Sequence, residues 1–279
     1  MNRLFRFLLI LSCLAVFGQA KAQFDDPKTL EVGPHVGVSY YMGDLNPMKP
    51  FAMAKLQYGG LVRFNYNNRW TFRFDYSRAT VQASDEKIGW RPERGLNFTT
   101  TINDFSLVAE FNFLEYYTGN PKRNVSPYIF GGFSVFQYTP YAEVDGQMVK
   151  LREYPTEVPV GDTTFLKRLF GRSSSIGVSI PFGMGVKLSL SRHMAATVEW
   201  RMQKTFTDYL DDVGTVYPAQ PAYVDVNGEL HNLSDPTGNY HAGQQRGNSA
   251  FKDWFGMARV SLTWKFNLPD GRGCNLSKF

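Results

Sequence analysis

The stretch Lys204 to Tyr217, KTFTDYLDDVGTVY, places Asp208, Asp211 and Asp212 within five residues, among Phe206, Tyr209 and Tyr217. Grouped carboxylates can ligate a hard cation, because Ca²⁺ takes several carboxylate oxygens. The spacing is not that of an EF-hand loop, so the three acids are weak metal candidates. The competing reading is a solvated or hydrogen-bonded strand end, with the acids bonded to a neighbouring long loop. A second set lies further along, where His231 and His241 flank Ser234 and Asp235. Serine, histidine and an acid at a barrel rim are the equipment of a lipid-modifying enzyme. A mixed polar loop also produces such neighbours by chance. The four histidines, His35, His193, His231 and His241, show no metal-ligand spacing. No GxSxG turn and no phosphate-cradling glycine loop is present. The sequence therefore predicts no catalytic residue, no cofactor and no small-molecule substrate.

The elements that hold these residues read as strands. Glu31–Tyr41, Gln57–Tyr66, Trp70–Ala83, Asn103–Tyr116, Ser126–Tyr141, Ser175–Leu190, Met194–Phe206 and Trp254–Phe266 are the eight strand-like segments. In the sixth, Ile176, Val178, Ile180, Phe182, Met184, Val186, Leu188 and Leu190 share one face, and a period of two means strand. The fifth is apolar on both faces. The third changes phase near Arg78, which predicts a bulge or the end of the membrane-spanning part. Short links at 67–69, 117–125 and 191–193 alternate with long ones at 42–56, 84–102, 142–174 and 207–253. Transmembrane barrels alternate in this way, with tight periplasmic turns and long external loops.

The predicted fold is therefore all-β, an eight-stranded antiparallel transmembrane barrel over 31–266. A periplasmic segment, 23–30, precedes it and a periplasmic tail, 267–279, follows. Arg63, Arg73, Asp75, Glu110, Glu199, Arg201, Arg259 and Lys265 fall opposite the apolar face. They should pair across the lumen and plug it, since eight strands leave an interior that side chains can fill.

Residues 1–22 read as a secretory signal: Arg3 and Arg6, then an apolar run, then Ala20-Lys21-Ala22, with cleavage after Ala22. The expected destination is the cell outer membrane, with its lipid as the first partner. Removing Arg3, Arg6 and Lys21 leaves 27 of the 30 basic residues against 25 acidic ones, with no basic run for nucleic acid. Cys274 is then the one remaining thiol, which excludes an intramolecular disulfide and raises an intermolecular one.

Five segments in order carry a resemblance: GVSYYMGDLNP (37–47), GGLVRFNYNNRWTFR (59–73), PYIFGGFSVFQYTPYAEVDGQ (127–147), IPFGMGVKLSLSR (180–192) and KTFTDYLDDVGTVY. Together they resemble the PorG-type outer-membrane barrels of the Bacteroidetes type IX secretion system. The resemblance implies a non-enzymatic component of protein secretion that contacts a periplasmic ring of partner proteins. By topology, that contact would use 23–30, the short turns and the tail. Two other roles fit the same sequence: a stand-alone barrel for adhesion or envelope maintenance, and the lipid-modifying rim enzyme.

Overall fold

The computed structural model describes residues 28–157, 174–248 and 250–268. The predicted signal 1–22, most of the segment 23–30, the tail from 269 and Cys274 lie outside the described residues. The strands are β1 (Thr29–Met42), β2 (Lys55–Asn65), β3 (Trp70–Ser84), β4 (Asn97–Asn112), β5 (Val125–Val144), β6 (Gln147–Lys150), β7 (Ile176–Ser189), β8 (Met194–Thr205), β9 (Tyr223–Val226), β10 (Glu229–Asn232) and β11 (Trp254–Asn267). A short helix, α1 (Asp85–Ile88), follows β3.

Strands β1, β2, β3, β4, β5, β7, β8 and β11 pair antiparallel in a ring, and β1 against β11 closes it. Closure satisfies the backbone of every strand, which hydrocarbon requires because it offers no hydrogen bonds of its own. The exterior carries an exposed apolar belt that includes Val36, Val62, Phe74, Leu107, Ile129, Met184, Val198 and Val260. Trp70, Trp264, Tyr66 and Phe113 stand exposed at the short-turn end of that belt. An apolar belt edged by aromatics is the outer wall of a membrane barrel. Among the described residues, no helix is long and apolar enough to cross a membrane.

The structure corrects the predicted boundaries at several points. β4 begins at Asn97 and ends at Asn112, whereas the alternation predicts 103–116. Its first stretch of pairing, Asn97 to Ile102, carries polar outward residues, so no apolar stripe announces it. β3 contains no bulge. Its pairing with β4 runs unbroken from Trp70↔Phe111 to Ser84↔Asn97. The phase change near Arg78 is instead the level at which the wall leaves the membrane. Odd-numbered residues stay inward throughout, but from Ala79 they are apolar and the outward ones are polar.

β5 is apolar on both faces because its inward aromatics lie over the glycines of β7. A Cβ on Gly185 would stand 2.8 Å from the Tyr128 ring, and one on Gly183 would stand 2.8 Å from the Phe130 ring. β5 and β6 form a hairpin, as do β9 and β10, and both lie in long external loops. Their turns, Asp145-Gly146 and Asn227-Gly228, have positive φ at both residues. That is the type I′ geometry that Asp-Gly and Asn-Gly favour. These dipeptides were the legible sign of two hairpins that apolar periodicity misses.

Candidate functional site

Two buried polar assemblies lie inside the barrel, one within the membrane span and one at the external mouth. The lower assembly grows from alternation, since every second residue of a wall strand points inward. Arg73 of β3 is central to it. Its Nε lies 2.8 Å from Asp75, and its Nη1 lies 2.6 Å from both Glu110 and Glu199. Arg63 joins Glu110 to Glu31 at 3.2 and 3.0 Å. Arg259 bridges Glu199 and Asp75 at 2.7 and 3.1 Å. Arg201 reaches Asp75 at 3.5 Å and Asp104 at 3.2 Å. Tyr128 donates to Glu199 at 2.6 Å.

Seven of the eight predicted inward charges thus form one network. The eighth, Lys265, is buried apart from it, where it donates to the Thr118 carbonyl and stands 4.5 Å above the Tyr117 ring. Three members were missed: Glu31, Asp104 and Lys187, the last 2.5 Å from Glu110. Their parity on β1, β4 and β7 would have revealed each. With them, five acids meet five bases, all at most 3% exposed. Balanced charge matters here, because an unpaired buried ion is strongly unfavourable.

The upper assembly contains the acidic stretch. A solvated strand end is not what the structure shows: Asp208, Asp211 and Asp212 are 3, 2 and 0% exposed. The loops fold inward over the mouth and surround them with an apolar core that includes Tyr41, Leu45, Phe98, Leu210, Val213 and Phe255. Each acid then needs an internal partner. Asp212 accepts from Thr156 of the β6–β7 loop, and its carbonyl accepts from Arg246 Nη1 at 2.6 Å. Asp208 lies 3.6 Å from Lys252. Asp211 accepts from the Val213 amide at 2.9 Å, and Asp253 accepts from the Leu210 amide at 3.0 Å.

Between the last two acids sits the Tyr41 hydroxyl, 2.6 Å from Asp211 and 2.7 Å from Asp253. A phenol has one proton to donate, so one of these two carboxyls must itself be protonated to complete the second contact. The electrostatics agree. Burial, then the carboxyl of Asp253, holds Asp211 well above the usual carboxylate range. Burial pushes Asp253 up to about 7. Burial and the neighbouring Asp253 push Asp208 up to about 8. Groups that retain protons near neutrality act as hydrogen-bonding struts.

The other predicted rim residues each have their own surroundings. Ser234 Oγ accepts from the Ala222 amide, and Asp235 accepts from the Gly238 and Tyr240 amides. His231 lies against Asp145, and His241 is exposed at the loop surface. Arg246 and Arg94, which the sequence did not single out, are the cationic ties of the mouth. Arg246 reaches Glu157 at 3.1 Å, and Arg94 reaches Asp85 at 2.5 Å.

Several solved outer-membrane barrels are similar to this chain. OprG of Pseudomonas aeruginosa is 10% identical over 87% of this chain and 97% of its own, with a TM-score of 0.40. Neisserial surface protein A is 10% identical over 86% and 97%, with a TM-score of 0.38. A major outer membrane protein of Thermus thermophilus is 9% identical over 86% and 100%, with a TM-score of 0.38. The fold assignment rests on the strand pairing rather than on these likenesses. No curated protein matches the chain. A family model does match, over residues 3–161, and the chain belongs to that family, described as a domain of unknown function (DUF6089).

Proposed function

We propose that this outer-membrane barrel is a non-enzymatic component of the type IX secretion system, and that it anchors or contacts a periplasmic ring of partner proteins. The observation that carries the reading is the balanced ion-pair network across the lumen. A bore packed with side chains conducts nothing, so work is left to the two ends and the wall. The five resembling segments supply the link to type IX secretion, and KTFTDYLDDVGTVY is the most specific of them. The short turns at 67–69, 117–125 and 191–193 are the periplasmic surface available to a ring, together with the predicted tail.

Deletion of the gene tests this reading. Loss of surface export of cargo with a C-terminal secretion signal is expected, with recovery on complementation. Intact export would overturn the secretion role and favour a stand-alone barrel for adhesion or envelope maintenance. A pull-down from detergent-solubilised membranes should recover periplasmic ring proteins.

A further inference from the structure

The acids that look most like ligands in the sequence are internal struts, but a different trio converges on the outside. Asp145 occupies the turn between β5 and β6, while Glu229 and His231 lie on β10. One oxygen from each acid and one imidazole nitrogen all lie within 4.8 Å of one another. Asp145 and His231 also line a cavity of about 500 Å³ in the external mouth. A further contact ties the two hairpins, from Gln147 Nε2 to Asn227 Oδ1 at 3.0 Å.

His231 supplies the second observation. Its Nε2 is shut off from solvent and lies 2.9 Å from Asp145 Oδ2, yet it makes no hydrogen bond among the described residues. The approach is close but lacks hydrogen-bond geometry. A ring nitrogen set beside two carboxylate oxygens, off any N–H···O line, is what a shared cation would satisfy. We infer that Asp145, Glu229 and His231 form a binding site for a divalent transition ion of the zinc class, which clips the two external hairpins together.

The ligand chemistry selects the ion. One imidazole with two carboxylates suits Zn²⁺ and its neighbours, whereas Ca²⁺ and Mg²⁺ prefer sites made of oxygen alone. Ligands at about 2.0–2.2 Å from a tetrahedral zinc stand roughly 3.3 Å apart. His231 Nε2 and Asp145 Oδ2, 2.9 Å apart, therefore open slightly on binding, which these partly exposed side chains allow. Asp145 and His231 line the cavity, which leaves room for water as a further ligand. The site is independent of the secretion reading, since it is a property of the purified chain.

Zinc titration of tag-free protein in detergent micelles, followed by calorimetry, tests the site. One zinc per chain is expected to bind, with Ca²⁺ and Mg²⁺ giving no saturable heat. His231→Ala should weaken zinc binding at least tenfold, and Asp145→Asn and Glu229→Gln should each weaken it by a smaller factor. His241→Ala should bind like the parent. In the parent alone, zinc should slow proteolysis of the two hairpins. Absence of saturable zinc binding would overturn the site. So would unchanged binding in His231→Ala, or loss of binding in His241→Ala with His231→Ala intact.

Discussion

Along β3 the inward residues change character partway up. Thr71, Arg73, Asp75 and Ser77 face a polar lumen, whereas Ala79, Val81 and Ala83 face an apolar core. The outward residues change in the opposite sense, from Trp70, Phe72 and Phe74 to Arg78, Thr80 and Gln82. β4 repeats the exchange: Glu110 and Asp104 lie inside below Ile102 and Phe98, with Leu107 and Phe105 outside below Asn103, Thr101 and Thr99. One continuous wall thus serves two solvents. Hydrocarbon outside makes polar groups tolerable only within the lumen, where they must pair. Water outside allows the ordinary arrangement of a soluble protein, with an apolar interior capped by loops. The lesson is that the membrane boundary is read from which face is apolar and not from where the strands end.

The largest effect expected from breaking this comparison comes from the lower half. Arg73→Met leaves Asp75, Glu110 and Glu199 short of a partner and should cost about 3–5 kcal/mol. Urea unfolding in lipid vesicles would measure it, and a loss below about 1 kcal/mol would mean the network is not the strut it looks. Phe98→Ala in the upper core should cost about 3–5 kcal/mol as well, but locally. Proteolysis should then nick the external loops while the barrel stays folded on gels. If the barrel also melts, the two halves are one cooperative unit.

The position of the boundary is tested by one substitution placed twice. Leu107→Arg, on the belt, should cost about 2–4 kcal/mol. Thr101→Arg, on the same outward face of β4 but above the belt, should cost almost nothing. Equal penalties would show that the membrane reaches higher than the polarity exchange.

The last test concerns protons. Asp208 and Asp253 titrate near 8 and 7 in the folded cap, above the ordinary carboxylate range. Between about pH 4 and those values the folded cap holds more protons than the unfolded one. Cap stability should therefore be greatest below about pH 4 and fall steadily from there until the pH passes 7 to 8. Protection of the external loops from protease at about pH 5.5, within that fall, and about pH 8.5, beyond it, measures it. Asp208→Asn and Asp253→Asn should flatten the difference, and a cap that grows more stable with pH would contradict the shared-proton arrangement around Tyr41. Separately, steady large conductance from reconstituted protein would contradict a packed lumen.

Alternation alone determined a great deal about this chain. A period of two fixes which face each side chain takes, so the existence of the eight wall strands and seven members of the lumen network follow from sequence positions, and the alternation of short and long links adds the barrel class. The short links at 67–69 and 191–193 fixed which end of the barrel is tight. What alternation does not carry is the meeting of residues on different loops. Asp211 and Asp253 share Tyr41 across sequence separations of 170 and 212. Asp145 meets His231 only because two hairpins fold against each other. In the sequence Asp208, Asp211 and Asp212 are alike, three acids at a strand end. The tertiary structure decided that they are buried struts, because the loops turn inward and replace the water that would otherwise have solvated them with internal partners.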